Sequence, residues 1–168
     1  MINCTQAPTF GYFSLSQYQM ALGRYDEADK TLRKAIDLYP EAAMNHALLT
    51  TVDIERHQLQ AALLDAQGEP DEIYRTYALA MASDANGDQA TGEAELKKLI
   101  NLYADNASFQ IAAIYANRGD ADNTFKWLQR AYRNRDAGIM LLLYVHPAIL
   151  KFRKDPRFLA LGRELADQ

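Results

Sequence analysis

The chain has 168 residues, an apolar share of 49% and a net charge of -4 at pH 7, the size of one domain that would bury about 70% of its unfolded surface if compact. No stretch approaches the ~18 uninterrupted apolar residues of a membrane span, and the N-terminus lacks the basic region and apolar core of a signal peptide, so a cytoplasmic location is expected. The single Cys4 excludes an internal disulfide and any multi-cysteine metal site within one chain. Residues 1–84 carry six Lys+Arg against twelve Asp+Glu, and residues 85–168 carry twelve against ten. That polarity gives the two ends different fields without the gathered positive face of a nucleic-acid module.

The first helix is predicted over 9–22, with Thr9 as its N-cap. Phe13, Gln17 and Met20 mark one face; Tyr12, Leu15, Ser16 and Gln19 mark the face expected to meet the next helix. Gly23 ends it, and Asp26 and Glu27 place negative charge at the start of helix 2, whose stripe is Ala28, Leu32, Ala35 and Ile36. Pro40 stops that helix. Helix 3 starts near Ala43 and runs to Glu55, and helix 4 over 59–66 is cut short by Gly68-Glu69-Pro70. Helix 5 spans about 71–86. Asp88 is placed to cap helix 6, where Gly92 costs about 1 kcal/mol relative to Ala. Helix 7 covers 106–117 and helix 8 covers 122–134, with Thr124 tolerated if its hydroxyl bonds the preceding turn. Beyond Gly138 come short apolar pieces, with Asp155-Pro156 as a helix start and Phe158, Leu161 and Leu165 as its stripe.

One frame recurs along this series. Gly23-Arg24-Tyr25-Asp26-Glu27-Ala28 returns as residues starting at His57, Gly87 and Gly119, at intervals of 34, 30 and 32. Such a period means helix pairs that bury their apolar faces only by stacking on neighbours. With Gly23, Tyr25, Ala28, Leu32, Ala35 and Pro40, the first unit resembles a tetratricopeptide (TPR) repeat. The C-terminal run Gly119-Asp120, Phe125-Lys126-Trp127-Leu128, Ala131-Tyr132, Asp136 and Asp155-Pro156-Arg157-Phe158 resembles the end of TPR regions of bacterial signalling and transcriptional regulators. The resemblance implies an all-α superhelix of antiparallel helix pairs, with units at 9–42, 43–70, 71–104 and 105–138 and a capping tail at 139–168.

No catalytic or metal constellation emerges. His46, His57 and His146 fall in different parts of the stack, and no phosphate-binding glycine loop or nucleophile elbow occurs. The expectation is a protein that is not an enzyme and uses no cofactor, with no nucleic-acid or membrane partner. The family's ligand-facing positions map onto Phe13, Gln17 and Met20; Met44, Ala47, Thr51 and Glu55; Tyr74, Tyr77, Met81 and Asp84; and Phe109, Ala113 and Asn117. Their aromatics and methionines suit an adaptable apolar site for a peptide or protein segment. The alternative for the same residues is packing against one another or against the tail. Two alternatives stand beside this scaffold: a homodimer, suggested by Tyr18, Tyr103 and Tyr132 and by the charge polarity, and an accessory or sensor region of a bacterial regulatory system.

Overall fold

The computed structural model describes residues 7–166, with side chains from residue 10 onward; Cys4 lies outside that range. Helix α1 (Ala7–Ala21) packs on α2 (Tyr25–Leu38), α3 (Asn45–Glu55) on α4 (Leu59–Gly68), α5 (Glu72–Ala85) on α6 (Gln89–Tyr103), and α7 (Ser108–Asn117) on α8 (Ala121–Arg133). In turn α2 packs on α3, α4 on α5 and α6 on α7, so each antiparallel pair completes its core on the next. The protein is an all-α stack of helix pairs of the TPR type. Two short helices, α9 (Ala137–Leu142) and α10 (Pro147–Leu150), and a longer one, α11 (Pro156–Ala166), follow and lie against α7 and α8.

The recurring frame is a recurring turn. At Gly23, Gly87 and Gly119 the backbone is left-handed, with φ of 70°, 82° and 76°. The next amide then reaches back five residues: Arg24 N–H to Gln19, Asp88 to Ser83 and Asp120 to Tyr115. This is the Schellman closure, which satisfies the last carbonyls of the first helix and reverses the chain into the second. His57 occupies the same position with φ 59°, and Gln58 N–H bonds the carbonyl of Asp53. Arg135, at φ 54°, makes the same turn after α8, with Asp136 N–H on Ala131.

Helix 1 begins at Ala7, so Thr9 is inside the first turn rather than at its cap. Leu15 is half exposed, whereas Ser16, Gln17, Gln19 and Met20 are buried. Helix α3 starts at Asn45, after Met44 in a left-handed conformation at φ 76°. Ala28, Leu32, Ala35, Leu96, Leu99 and Leu128 are buried without remainder or nearly so. The Thr124 hydroxyl donates to the carbonyl of Asp120 at 2.6 Å, and Asp88 accepts the Thr91 amide as a cap of α6.

Gly92 has a steric reason. A Cβ there would overlap the Asp84 carboxylate, which is held by both Nε and Nη2 of Arg118 at 2.7 and 3.2 Å. The helix-propensity cost of glycine is accepted where a cross-pair ion pair needs the space.

His57 and Arg135 are the members of the series that carry a β-carbon into the left-handed region, which costs about 1–2 kcal/mol. His57→Gly is expected to stabilise the fold by about 1 kcal/mol and to raise the melting temperature by roughly 2–4 °C. Thermal circular dichroism measures it, and a lowered melting point would mean that the His57 side chain contributes more than its backbone strain costs.

Candidate functional site

Of the first helices of the pairs, α5 packs on both α3 and α7, and two acidic residues fix the starts of those two neighbours. Glu69, only 1% exposed, accepts the amides of Met44 and Ala47 at 3.1 Å each and that of Asp71 at 3.2 Å. One carboxylate thereby caps α3 from beyond α4 and braces the start of α5. Burial raises its pKa despite these amides, which pull the other way. Asp136 repeats the device: Oδ2 accepts Phe109 N–H at 3.0 Å at the start of α7, and Oδ1 accepts Gly138 N–H at 2.8 Å to cap α9. Asp71 then caps α5 locally through the amides of Ile73 and Tyr74.

On the helices so placed, the expected contact residues separate into three groups. Thr51, Tyr77, Met81 and Phe109 are buried. The Tyr77 hydroxyl lies 2.8 Å from His146 Nε2 and 3.5 Å from Thr51 Oγ1. His146, from the start of α10, is 2% exposed and meets the Phe109 ring nearly edge-on at 6.0 Å. Burial pushes the Tyr77 hydroxyl up to about 12 and the His146 imidazole down to about 4, with the Lys151 charge a smaller cause for the histidine. The second group is Phe13, Met44 and Tyr74, partly exposed and packed against the core. Met44 and Tyr74, with Ala47, Leu48, Leu142 and His146, edge an apolar depression of about 10 Å³, the space of one water rather than of a ligand. Third, Asp84 is paired with Arg118, which also reaches Glu93 at 2.9 Å, and Asn117 lies beside that ion pair. Gln17 and Met20 are buried in α1, and Glu55 lies near Tyr25, whose hydroxyl is raised by burial and then by the Glu55 charge.

A second polar cluster joins α2, α3 and α4. Arg33 Nε holds Asp29 at 2.9 Å, and its Nη2 stands 3.6 Å from both Asp53 and Asp65. Arg56 reaches Asp26 and Asp29 at 3.0 Å each and Asp53 at 3.3 Å. His46 Nδ1 lies 3.4 Å from Asp65. The Asp53 side chain has no exposure, and its Oδ2 has no hydrogen-bond partner. Burial, and then the neighbouring Asp65, push its pKa up to about 6. Among the described residues no group of three or more His, Cys, Asp or Glu is arranged to hold a metal ion, and no helix is long and apolar enough to cross a membrane.

The tetratricopeptide repeat family matches residues 11–41. No curated protein matches the chain, and no solved structure does. The match covers the first helix pair alone and so overturns the resemblance of the C-terminal part to TPR regions of bacterial regulators. The residues that suggested it do generic work here. Asp120 caps α8, Asp136 caps α7 and α9, Asp155 accepts the Arg157 amide at the start of α11, and Phe125 packs edge-on against Phe152 at 6.0 Å. Glu69 and His146 escaped sequence reasoning. The acid after the second helix of a pair was visible as a residue, but two of its three partner amides, Met44 and Ala47, are more than twenty positions upstream.

Gly138 is packed too closely for a side chain: a Cβ would sit 2.7 Å from Phe109 Cβ. Gly138→Ala is therefore expected to loosen α9 from α7 and to destabilise the protein by about 1–3 kcal/mol; an unaltered urea midpoint would show that α9 is not seated against Phe109 in solution.

Asp53 and His146 act in opposite senses with pH. Asp53, raised to about 6, contributes stability that is present below its unfolded value near 3.9 and lost as pH rises through 6. His146, lowered to about 4, costs stability as pH falls from about 6.5 through 4. Removing the first leaves the second unopposed. Asp53→Asn should gain on the parent by about 2 kcal/mol between pH 4.5 and 7.5. Urea midpoints of both proteins across that range test this, and a pH-independent difference would rule out a titrating Asp53.

Proposed function

We propose that the protein is a non-enzymatic interaction scaffold, and that a peptide or protein segment docks across the first helices of its stacked pairs. The observation that carries this reading is the partly exposed apolar rim of Phe13, Met44 and Tyr74; the starts of α3 and α5, beside the last two, are fixed by the carboxylates of Glu69 and Asp71. Rigid elements with adaptable apolar side chains suit recognition of a partly apolar segment. Gln17, Met20, Thr51, Tyr77, Met81 and Phe109 form the floor beneath that contact, and Glu55, Asp84 and Asn117 its polar margin. Residues 137–150, with His146 between Tyr77 and Phe109, fill the far end of the same face, which directs a partner towards α1, α3 and α5. The division into units at 9–42, 43–70, 71–104 and 105–138, with 139–168 as cap, belongs to the same proposal, as does a cytoplasmic setting.

A photo-crosslinking amino acid at Met44, compared with one at the exposed Leu64 on α4, tests the docking face in a cell extract. Met44 is expected to yield a discrete adduct that falls at least fivefold in the Phe13→Ala, Tyr74→Ala double variant, with helicity unchanged. Adducts from Leu64 and none from Met44 would place the interaction on the opposite face.

A further inference from the structure

Helix α1 carries a second apolar stripe, turned away from α2. Leu15, Tyr18 and Leu22 succeed each other at helical spacing and are 49%, 68% and 70% exposed, while Phe10, 61% exposed, lies on the neighbouring face beside Phe13, their rings 6.1 Å apart. No described residue covers the stripe, and among the tyrosines considered for self-association Tyr18 is the one left free. Tyr132 donates its hydroxyl to the Glu164 carbonyl, and Tyr103 is engaged with Glu72. In a stack of helix pairs this is the face that a preceding pair would bury.

We propose that the Leu15–Tyr18–Leu22 stripe of α1 docks on the same stripe of a second copy of this chain, forming a closed two-fold dimer. Charge selects the occupant. Ala7–Ala21 contains no charged residue, so a two-fold contact, which sets each group near its own counterpart, brings no like charges together. The other end of the stack is a poor match. It exposes Met140, Leu141, Tyr144 and Leu159, but also Lys151, Arg153 and Lys154, and α1 has no acid to receive those cations. An end-to-end contact would also leave free ends and build filaments. The three stripe residues, half to two-thirds exposed, form the apolar centre of such a contact, and the uncharged flanks of α1 around them complete the roughly 1,000 Å² that a specific interface needs.

Sedimentation equilibrium of the full chain from about 1 to 300 μM reads the assembly directly. The mass is expected to rise from 19.0 kDa towards twice that value, with a dissociation constant of micromolar order. Tyr18→Glu and, separately, Leu22→Lys should each weaken it at least tenfold while leaving helicity and melting unchanged, because both side chains are mostly exposed. In a Cys4→Ser background, Tyr18→Cys should form a disulfide-linked dimer under mild oxidation. A constant mass of 19.0 kDa, a dimer indifferent to both charged variants, or species growing beyond two copies would overturn the proposal. Crosslinking at Met44 in the Tyr18→Glu variant reads the docking face separately, so either proposal can fail without the other.

Discussion

The carboxylate of Glu69 is the interaction on which the arrangement of the stack turns. It receives three backbone amides from two helix starts, and so links the placement of α3 to the end of α4 and the beginning of α5. The first amides of a helix have no intrahelical partners, and at a buried junction water cannot supply them. An acid carried in by the following segment meets that need and fixes the geometry between pairs. Asp136 does the same for α7 while opening α9. These two residues convert a series of helix pairs, each unable to bury its own face, into one positioned surface.

The segment after α8 extends that logic to the interior of the surface. Gly138 permits α9 to approach Phe109, and the chain then delivers His146 to the Tyr77 hydroxyl. A histidine and a tyrosine that hydrogen-bond one another can be buried at far lower cost than either alone. Aromatic and methionine side chains that suit a docking groove are thereby committed to the core. What stays open is the rim nearer the N-terminus, where Phe13 packs on both apolar clusters.

Electrostatics divides the molecule in a related way. The acidic N-terminal half concentrates carboxylates around Arg33 and Arg56 between α2, α3 and α4, and there Asp53 is buried with more carboxylates than cations about it. The C-terminal half uses its arginines as bridges between neighbouring pairs, Arg118 to Asp84 and Arg130 to Asp105, and to fasten α11 through Arg157 and Asp122. The neutral helix α1 stands outside both patterns: none of its residues takes part in either set of ion pairs.

Helix existence and pairing were legible in the sequence because both depend on local signals. Apolar spacing of 3.6 residues marks Ala28, Leu32 and Ala35, and a glycine or its substitute marks each left-handed turn; these act within a few residues of one another. Helix starts were less legible. Thr9 had the chemistry of a cap, yet the helix begins before it, and α3 is capped by Glu69 rather than by anything near Ala43. The two faces of α1 also could not be told apart, since Leu15 and Ser16 are adjacent in the chain and only packing shows which is buried. Of the contact residues, the sequence supplied their types and their positions on the first helices. Tertiary structure decided that Tyr77 and Phe109 would meet His146, that Asp84 would be taken by Arg118, and that Phe13, Met44 and Tyr74 would stay in reach of solvent. Local propensity sets the elements, but long-range burial and the hydrogen bonds of buried polar groups determine which faces remain free.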